Sequence, residues 1–330
     1  MTVQTPQRRP VTAFPVTAPR ASGLLDVGDG HQIYWEECGN PDGIPVLYVH
    51  GGPGAGCAPI HRSFFDPAVY RVVLFDQRGA GRSRPYAAWH ANTTAHLVAD
   101  MEVLRQSLQI DQWLLFGGSW GSTLALAYGQ AHPQRSLGFI LRGIFLFRQR
   151  EVDWFIHGMG RFFPEAAAEF FGALSPAEQQ APLQAYYRQL TDPDPAVHGP
   201  AARRWAGFED SCARLLPSVS PLTGLPGPDG LIEGLAIARL EAHYMAHAGF
   251  LEEGQLLRDI GRIRHLPCTI VQGRYDVICP PETALDLHTA WPESQLVMVP
   301  DAGHSALEPG IRVSLMQALQ DFAAGHRKAG

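Results

Sequence analysis

Trp113-Leu114-Leu115-Phe116-Gly117-Gly118-Ser119-Trp120-Gly121-Ser122-Thr123-Leu124-Ala125-Leu126-Ala127-Tyr128 holds, in order, an apolar run, the pattern G-x-S-x-G and a helix-like stretch. A serine forced onto a sharp strand-to-helix turn projects its hydroxyl outward and sets the next residue's N–H at a helix N-terminus. Gly117 and Gly121 fit such a turn, because it presses strand and helix backbones together and leaves no room for a Cβ. The reading is a serine hydrolase with Ser119 as nucleophile. Serine in a glycine-rich turn is common in α/β proteins, so the rest of the chain has to carry the assignment.

Upstream, Val46-Leu47-Tyr48-Val49 reads as a buried strand entering His50-Gly51-Gly52-Pro53-Gly54. Glycines there free backbone N–H groups for a developing alkoxide, and the N–H groups of Gly52 and Trp120 are the two expected oxyanion donors. The other reading of this turn is a tight bend stiffened by Pro53. The acid and the histidine of a triad should follow in that order, each after a late strand. Thr269-Ile270-Val271-Gln272 leads to Asp276, and Gln295-Leu296-Val297-Met298 leads to His304. The expected triad is Ser119, His304 as base and Asp276 as its orienter. Asp301 and Asp111 are rival acids; Asp301 is too close to His304 along a tight loop to face it well.

Strands expected around His31 to Glu37, Val46 to Val49, Val72 to Phe75 and Ser136 to Arg142 interleave with helices at Thr94 to Leu108 and Ser122 to Tyr128. In the first helix Leu97, Met101, Leu104 and Leu108 recur at three- and four-residue steps. That alternation predicts a mostly parallel sheet flanked by helices, with ligands bound beyond the carboxyl ends of the strands. From about Phe147 to Arg262 the pattern turns helical and is broken by prolines. Because Ser119 precedes this stretch while Asp276 and His304 follow it, one active site requires an insertion rather than a second domain. The expected organisation is a flexible extension over 1–22, a core over 23–146 and 263–330, and a helical cap over 147–262. Gly224 to Gly230 is expected to be an exposed loop of the cap.

Of 330 residues, 45% are hydrophobic and 18% charged, with a net charge of −6, which leaves no basic footprint for nucleic acid. No stretch approaches the ~20 apolar residues of a membrane span, and the first twenty residues lack the apolar run of a signal peptide. Five cysteines (Cys38, Cys57, Cys212, Cys268, Cys279) show no C-x-x-C spacing, so neither a disulfide framework nor a zinc site is expected. The expectation is a cytoplasmic protein with no metal or other cofactor, acting on small molecules or peptides without nucleic-acid or membrane partners.

His50-Gly-Gly-Pro-Gly54, Asp76-Gln-Arg-Gly-Ala-Gly-Arg-Ser83, Gly117-Gly-Ser-Trp-Gly-Ser122, Leu141-Arg-Gly-Ile-Phe145, Arg161-Phe-Phe-Pro-Glu165 and Gly273-Arg-Tyr-Asp276 with Cys279-Pro280 occur in one order. Together they resemble the proline iminopeptidases (prolyl aminopeptidases) of the α/β-hydrolase superfamily, over nearly the whole chain after the first twenty or so residues. The resemblance implies an α/β-hydrolase fold with an inserted helical cap, and release of N-terminal proline from peptides with a free α-amine. It implies that Glu209 and Glu241, in cap helices, bind that amine, and that Phe145 and Cys279 flank the proline ring. A carboxylate beside a buried ammonium contributes on the order of 1.5–3 kcal/mol. On residue type alone, a helical glutamate reads as solvated and a phenylalanine or cysteine as core, and Arg239 stands ready to pair with either carboxylate.

The chain departs from the family where Phe208-Glu209-Asp210 replaces Trp-Glu-Gly, Ala242 replaces asparagine, and Phe155 and Ile156 stand near Trp154 in place of tyrosines. These changes remove hydroxyls and an amide from the amine pocket, so the rank order of accepted N-terminal residues can differ from the family's. They also leave open an esterase or amidase of the same fold with a neutral acyl pocket, and, less favoured by an intact triad, a non-catalytic ligand receptor. Ser119 at the elbow disfavours an aspartate-nucleophile dehalogenase or epoxide hydrolase.

Overall fold

A computed structural model describes residues 12–216 and 234–329. The eight strands are β1 Ala21–Asp26, β2 Gln32–Gly39, β3 Ile44–Val49, β4 Tyr70–Asp76, β5 Trp113–Ser119, β6 Ser136–Ile144, β7 Cys268–Gly273 and β8 Gln295–Val299. They form one sheet in the order β1-β2-β4-β3-β5-β6-β7-β8. β2 runs antiparallel to both β1 and β4, and every other pairing is parallel.

Buried parallel strands must be apolar on both faces, and β4 shows why the continuous Val72–Phe75 run is needed. Val73 and Phe75 join Leu47, Leu115 and Leu141 in the core on one side of the sheet. Val72 and Leu74 join Val46, Leu114 and Ile140 on the other. The first side is covered by α1 Thr94–Ser107 and α2 Trp120–Ala131. In α1, Leu97, Met101 and Leu104 are the buried stripe, and Thr93 accepts from His96 N–H at the helix start.

Ala21 and Ser22, placed by sequence in the extension, are instead the first residues of β1, paired with Glu37 and Glu36. ASGLLD carries no continuous apolar run because its burial alternates with exposure, as a sheet-edge strand does. Phe14 packs against the core beside Tyr70 and Phe64, and its N–H bonds to Ser63 O at 3.1 Å.

Between β6 and β7 the chain forms α3 Gln149–Asp153, α4 Pro164–Gly172, α5 Pro182–Thr191, α6 Pro195–Cys212, α7 Leu235–Ala246 and α8 Gln255–Arg258. The Gly224 to Gly230 stretch lies outside the described residues. Phe170, Tyr186, Trp205 and Phe208 bind α4, α5 and α6 together, with Phe170 stacked on Tyr186 at 4.3 Å and on Phe208 at 4.6 Å. After β7 come α9 Pro281–Ala290 and α10 Pro309–Ala329. Ile311, Leu315, Met316 and Leu319 of α10 cover the second face. No helix among the described residues is long and apolar enough to cross a membrane.

Candidate active site

Ser119 ends β5 with φ 57° and ψ −131°, a strained conformation for a residue with a side chain, and α2 begins at the next residue. A Cβ on Gly117 would strike Gly121 O, and one on Gly121 would strike Val49 O, so both glycines are set by close backbone approach. The first N–H groups of α2, Trp120's included, have no partner inside the helix. The His50–Gly54 loop lies alongside: a Cβ on Gly51 would sit 3.4 Å from Ser119 Cβ. The loop that carries Gly52 and the helix start that carries Trp120, the two expected donors, therefore meet at the serine.

A hydrogen-bond chain absent from the sequence reading holds these elements in register. Trp120 Nε1 donates to Gln77 Oε1 at 2.8 Å, and Gln77 Nε2 donates to His50 O at 2.9 Å. Gln77 N–H donates to His50 Nε2 at 2.9 Å, so the ring proton is on Nδ1, 2.8 Å from Gly51 O. Burial holds His50 below the usual histidine range, in keeping with that neutral ring. Asp76, one residue earlier, accepts from Cys57 N–H at 2.7 Å and from Arg82 Nε at 2.8 Å. The Asp76–Ser83 stretch was visible as a motif; its bracing role depends on contacts far apart in sequence.

Asp276 and His304 meet as expected. His304 Nδ1 is 3.0 and 2.9 Å from the two Asp276 oxygens. Asp276 also accepts from Cys279 N–H at 2.8 Å and Gln272 Nε2 at 3.1 Å. Both members of the pair are buried, and a Cβ on Gly143 would press on them at 3.0–3.3 Å. The rival acids stand elsewhere: Asp111 pairs with Arg135 and Asp301 is exposed.

One expected contact is replaced. His304 Nε2 faces Arg142 Nη1 at 3.1 Å, and among the described residues no hydrogen bond joins it to Ser119. Arg142, on β6 beside Gly118, also donates to His304 O at 2.8 Å. A guanidinium offers only donors, so Nε2 presents its lone pair and the ring proton sits on Nδ1 toward Asp276. Cys279 packs against this corner, its thiol pushed well up by burial and next by the Asp276 charge, with the Ser119 hydroxyl in hydrogen-bonding contact. Phe145, also buried, lies 4.7 Å ring to ring from Phe147, which packs edge-on to Trp120.

Glu209 on α6 and Glu241 on α7 come together, their carboxyl groups hydrogen-bonded to each other. Trp205 Nε1 donates to Glu241 Oε2 at 2.6 Å. Burial raises the Glu209 carboxyl to about 7, with Asp210's charge adding to it. Glu241 is pushed well above the carboxylate range by burial and then by Glu209. Two carboxyls in one apolar pocket share a proton rather than both ionise. Arg239 does not neutralise them: its Nε donates to Leu190 O at 2.6 Å and its guanidinium lies over Trp89.

The helix that carries Glu241, α7, crosses the serine corner. A Cβ on Gly54 would come 2.5 Å from Ala236 O, at the start of α7, and Tyr244 packs edge-on to Trp120 at 4.6 Å. Glu241 lies between these two contacts along the helix. Phe155 stacks on Trp205 at 5.8 Å, next to the tryptophan that bonds Glu241, and Ile156 and Ala242 are buried as well. Among the described residues no cluster of His, Cys, Asp and Glu is arranged to hold a metal ion.

Residues 44–310 match the family described as alpha/beta hydrolase fold. A probable proline iminopeptidase of Leptolyngbya boryana is 49% identical over 94% of this chain and 97% of its own length. The proline iminopeptidase of Arabidopsis thaliana is 48% identical over 95% of this chain and 82% of its length. Among solved structures, the proline iminopeptidase of Mycobacterium smegmatis superposes with a TM-score of 0.57 at 19% identity, covering 93% of this chain and all (100%) of its own. A putative aryl esterase from Burkholderia cenocepacia reaches 0.59 at 16% identity, covering 94% and 99%. At such identities the structural likeness carries the fold alone, whereas the sequence relatives carry the family. The chain belongs to the proline iminopeptidase family of the α/β hydrolases.

Proposed function

We propose that the protein is a serine aminopeptidase that releases N-terminal proline from peptides through an acyl-enzyme. Ser119 Oγ attacks the prolyl carbonyl while His304 Nε2 takes its proton. The alkoxide receives the N–H groups of Gly52 and Trp120. His304 then protonates the leaving amine, and water repeats the sequence to free proline. Asp276 orients His304 and stabilises its cation. Substrate entry exchanges Arg142 for Ser119 Oγ at Nε2, since catalytic hydrogen bonds often close only in the Michaelis complex.

The observation that carries this reading is the Glu209–Glu241 pair: a buried and a half-buried carboxyl with no cationic side chain beside them among the described residues, in helices laid over the serine corner. A substrate ammonium supplies the missing charge, and its arrival drives off the shared proton. In this reading residues 147–262 act as a cap, and Phe145 and Cys279 flank the proline ring. The five free, buried cysteines fit a reducing cytoplasm, which we propose as its compartment. An esterase with a neutral acyl pocket would have no use for such a pair. The test is kcat/KM on the 4-nitroanilides of proline, alanine and N-acetylproline. A marked preference for free proline supports the reading; equal or faster turnover of the acetylated compound rejects it.

A further inference from the structure

Glu308, four residues beyond His304, joins two parts of the site that the reaction uses separately. Its Oε2 accepts from Gly303 N–H at 2.5 Å and its Oε1 from Leu215 N–H at 2.8 Å. Ser305 N–H donates to Ala213 O at 2.9 Å. Gly303 and Ser305 bracket His304, while Ala213 and Leu215 follow directly on α6. The backbones touch, since a Cβ on Gly303 would lie 2.8 Å from Leu215 N. Glu209 stands four residues before Ala213, one helical turn away on α6.

Resting on the function proposed above, we infer that Glu308 is a positioning residue that couples seating of the substrate ammonium at Glu209 to the placement of His304. A helical turn transmits displacement as a stiff unit, so a shift of Glu209 reaches Ala213 and Leu215 and, through Glu308, both neighbours of the histidine. The clamp needs a carboxylate. Two N–H donors must each find an oxygen, and a glutamine offers only one acceptor atom in place of two. Glu308→Gln therefore cuts one half of the link and leaves the volume of the side chain in place.

The experiment is a double-mutant cycle of Glu308→Gln with Glu209→Gln on prolyl 4-nitroanilide, with kcat and KM measured separately and the folded fraction checked by thermal melts. A misplaced base lowers kcat by about 10- to 100-fold. The coupling predicts such a kcat loss for Glu308→Gln, with KM changed less than about twofold. In that background Glu209→Gln still raises KM but lowers kcat by much less than it does alone. Kcat losses that multiply, or an unchanged kcat in folded Glu308→Gln, overturn the inference. Should Glu308→Gln fail to fold, Leu215→Pro removes the donor on the α6 side, while also fixing φ there, and once shown to fold by its thermal melt must give the same pattern. Ser119→Ala separates the two levels: turnover that survives it sinks the proposed function itself, whereas a dead Ser119→Ala with multiplying losses sinks only the role of Glu308.

Discussion

Two carboxylate sites, one at the strand ends and one between the helices that follow β6, are built in opposite ways. Asp276 sits at a strand end where Cys279 N–H, Gln272 Nε2 and His304 Nδ1 all point at its oxygens. Glu209 and Glu241 sit between helices with one Trp205 N–H and each other. A carboxylate furnished with donors is fixed in direction and suits a group that must hold an imidazole steady. A pair short of donors retains a proton and holds an unmet demand for positive charge, which suits a site waiting for an ammonium. Burial alone thus says little about a carboxylate's task; the donors around it distinguish an orienter from a receptor.

Exchanging the charge at each site should expose the contrast. Asp276→Asn lets Nδ1 lose its acceptor and stabilises the wrong tautomer of His304, so kcat on every substrate should fall on the order of 10⁴-fold, as in other triads. Glu209→Gln should cost about 10- to 100-fold in kcat/KM on prolyl 4-nitroanilide, the worth of a charge-assisted hydrogen bond, and little on a small neutral ester. Equal losses on amide and ester at Glu209 would erase the distinction between the sites.

The pH dependence refines it. With the Glu209 carboxyl raised to about 7, the pair loses its negative charge as pH falls through that value. Free-amine substrates should therefore lose kcat/KM on the acid side more steeply than a neutral ester, which has no use for that charge. In Glu209→Gln the two acid limbs should coincide. The smallest effect is on stability. An acid whose folded pKa lies above its unfolded value of 4.5 favours the fold most at low pH and loses that contribution as pH rises from 4.5 through 7. Glu209→Gln should accordingly melt higher than the wild type at pH 8, with the advantage gone at pH 4.

The two sites also differ in how far the chain announces them. Ser119, Asp276 and His304 each follow an apolar strand and occupy a turn whose form is set by adjacent residues, so a local pattern suffices. The sheet was legible for the same reason, apart from β1, whose edge position gives it no continuous apolar run. Glu209 and Glu241 are 32 positions apart and look like ordinary helical glutamates; only the family resemblance marked them, and their meeting depends on α6 packing on α7. His50, Gln77 and Arg142 lay within motifs that were visible, but their partners are set by the tertiary fold. Glu308 gave no signal of its own: an acidic residue just before Pro309 at the start of α10 reads as a solvated position.

The central claim is that the Glu209–Glu241 pair surrenders a proton to receive the substrate's ammonium. Titrating the Ser119→Ala variant with prolinamide at pH 6, by calorimetry in two buffers of different ionisation enthalpy, measures this directly. The account predicts release of about one proton per molecule bound, lost in Glu209→Gln together with most of the affinity. Binding without proton release, and with the same affinity in Glu209→Gln, would contradict it.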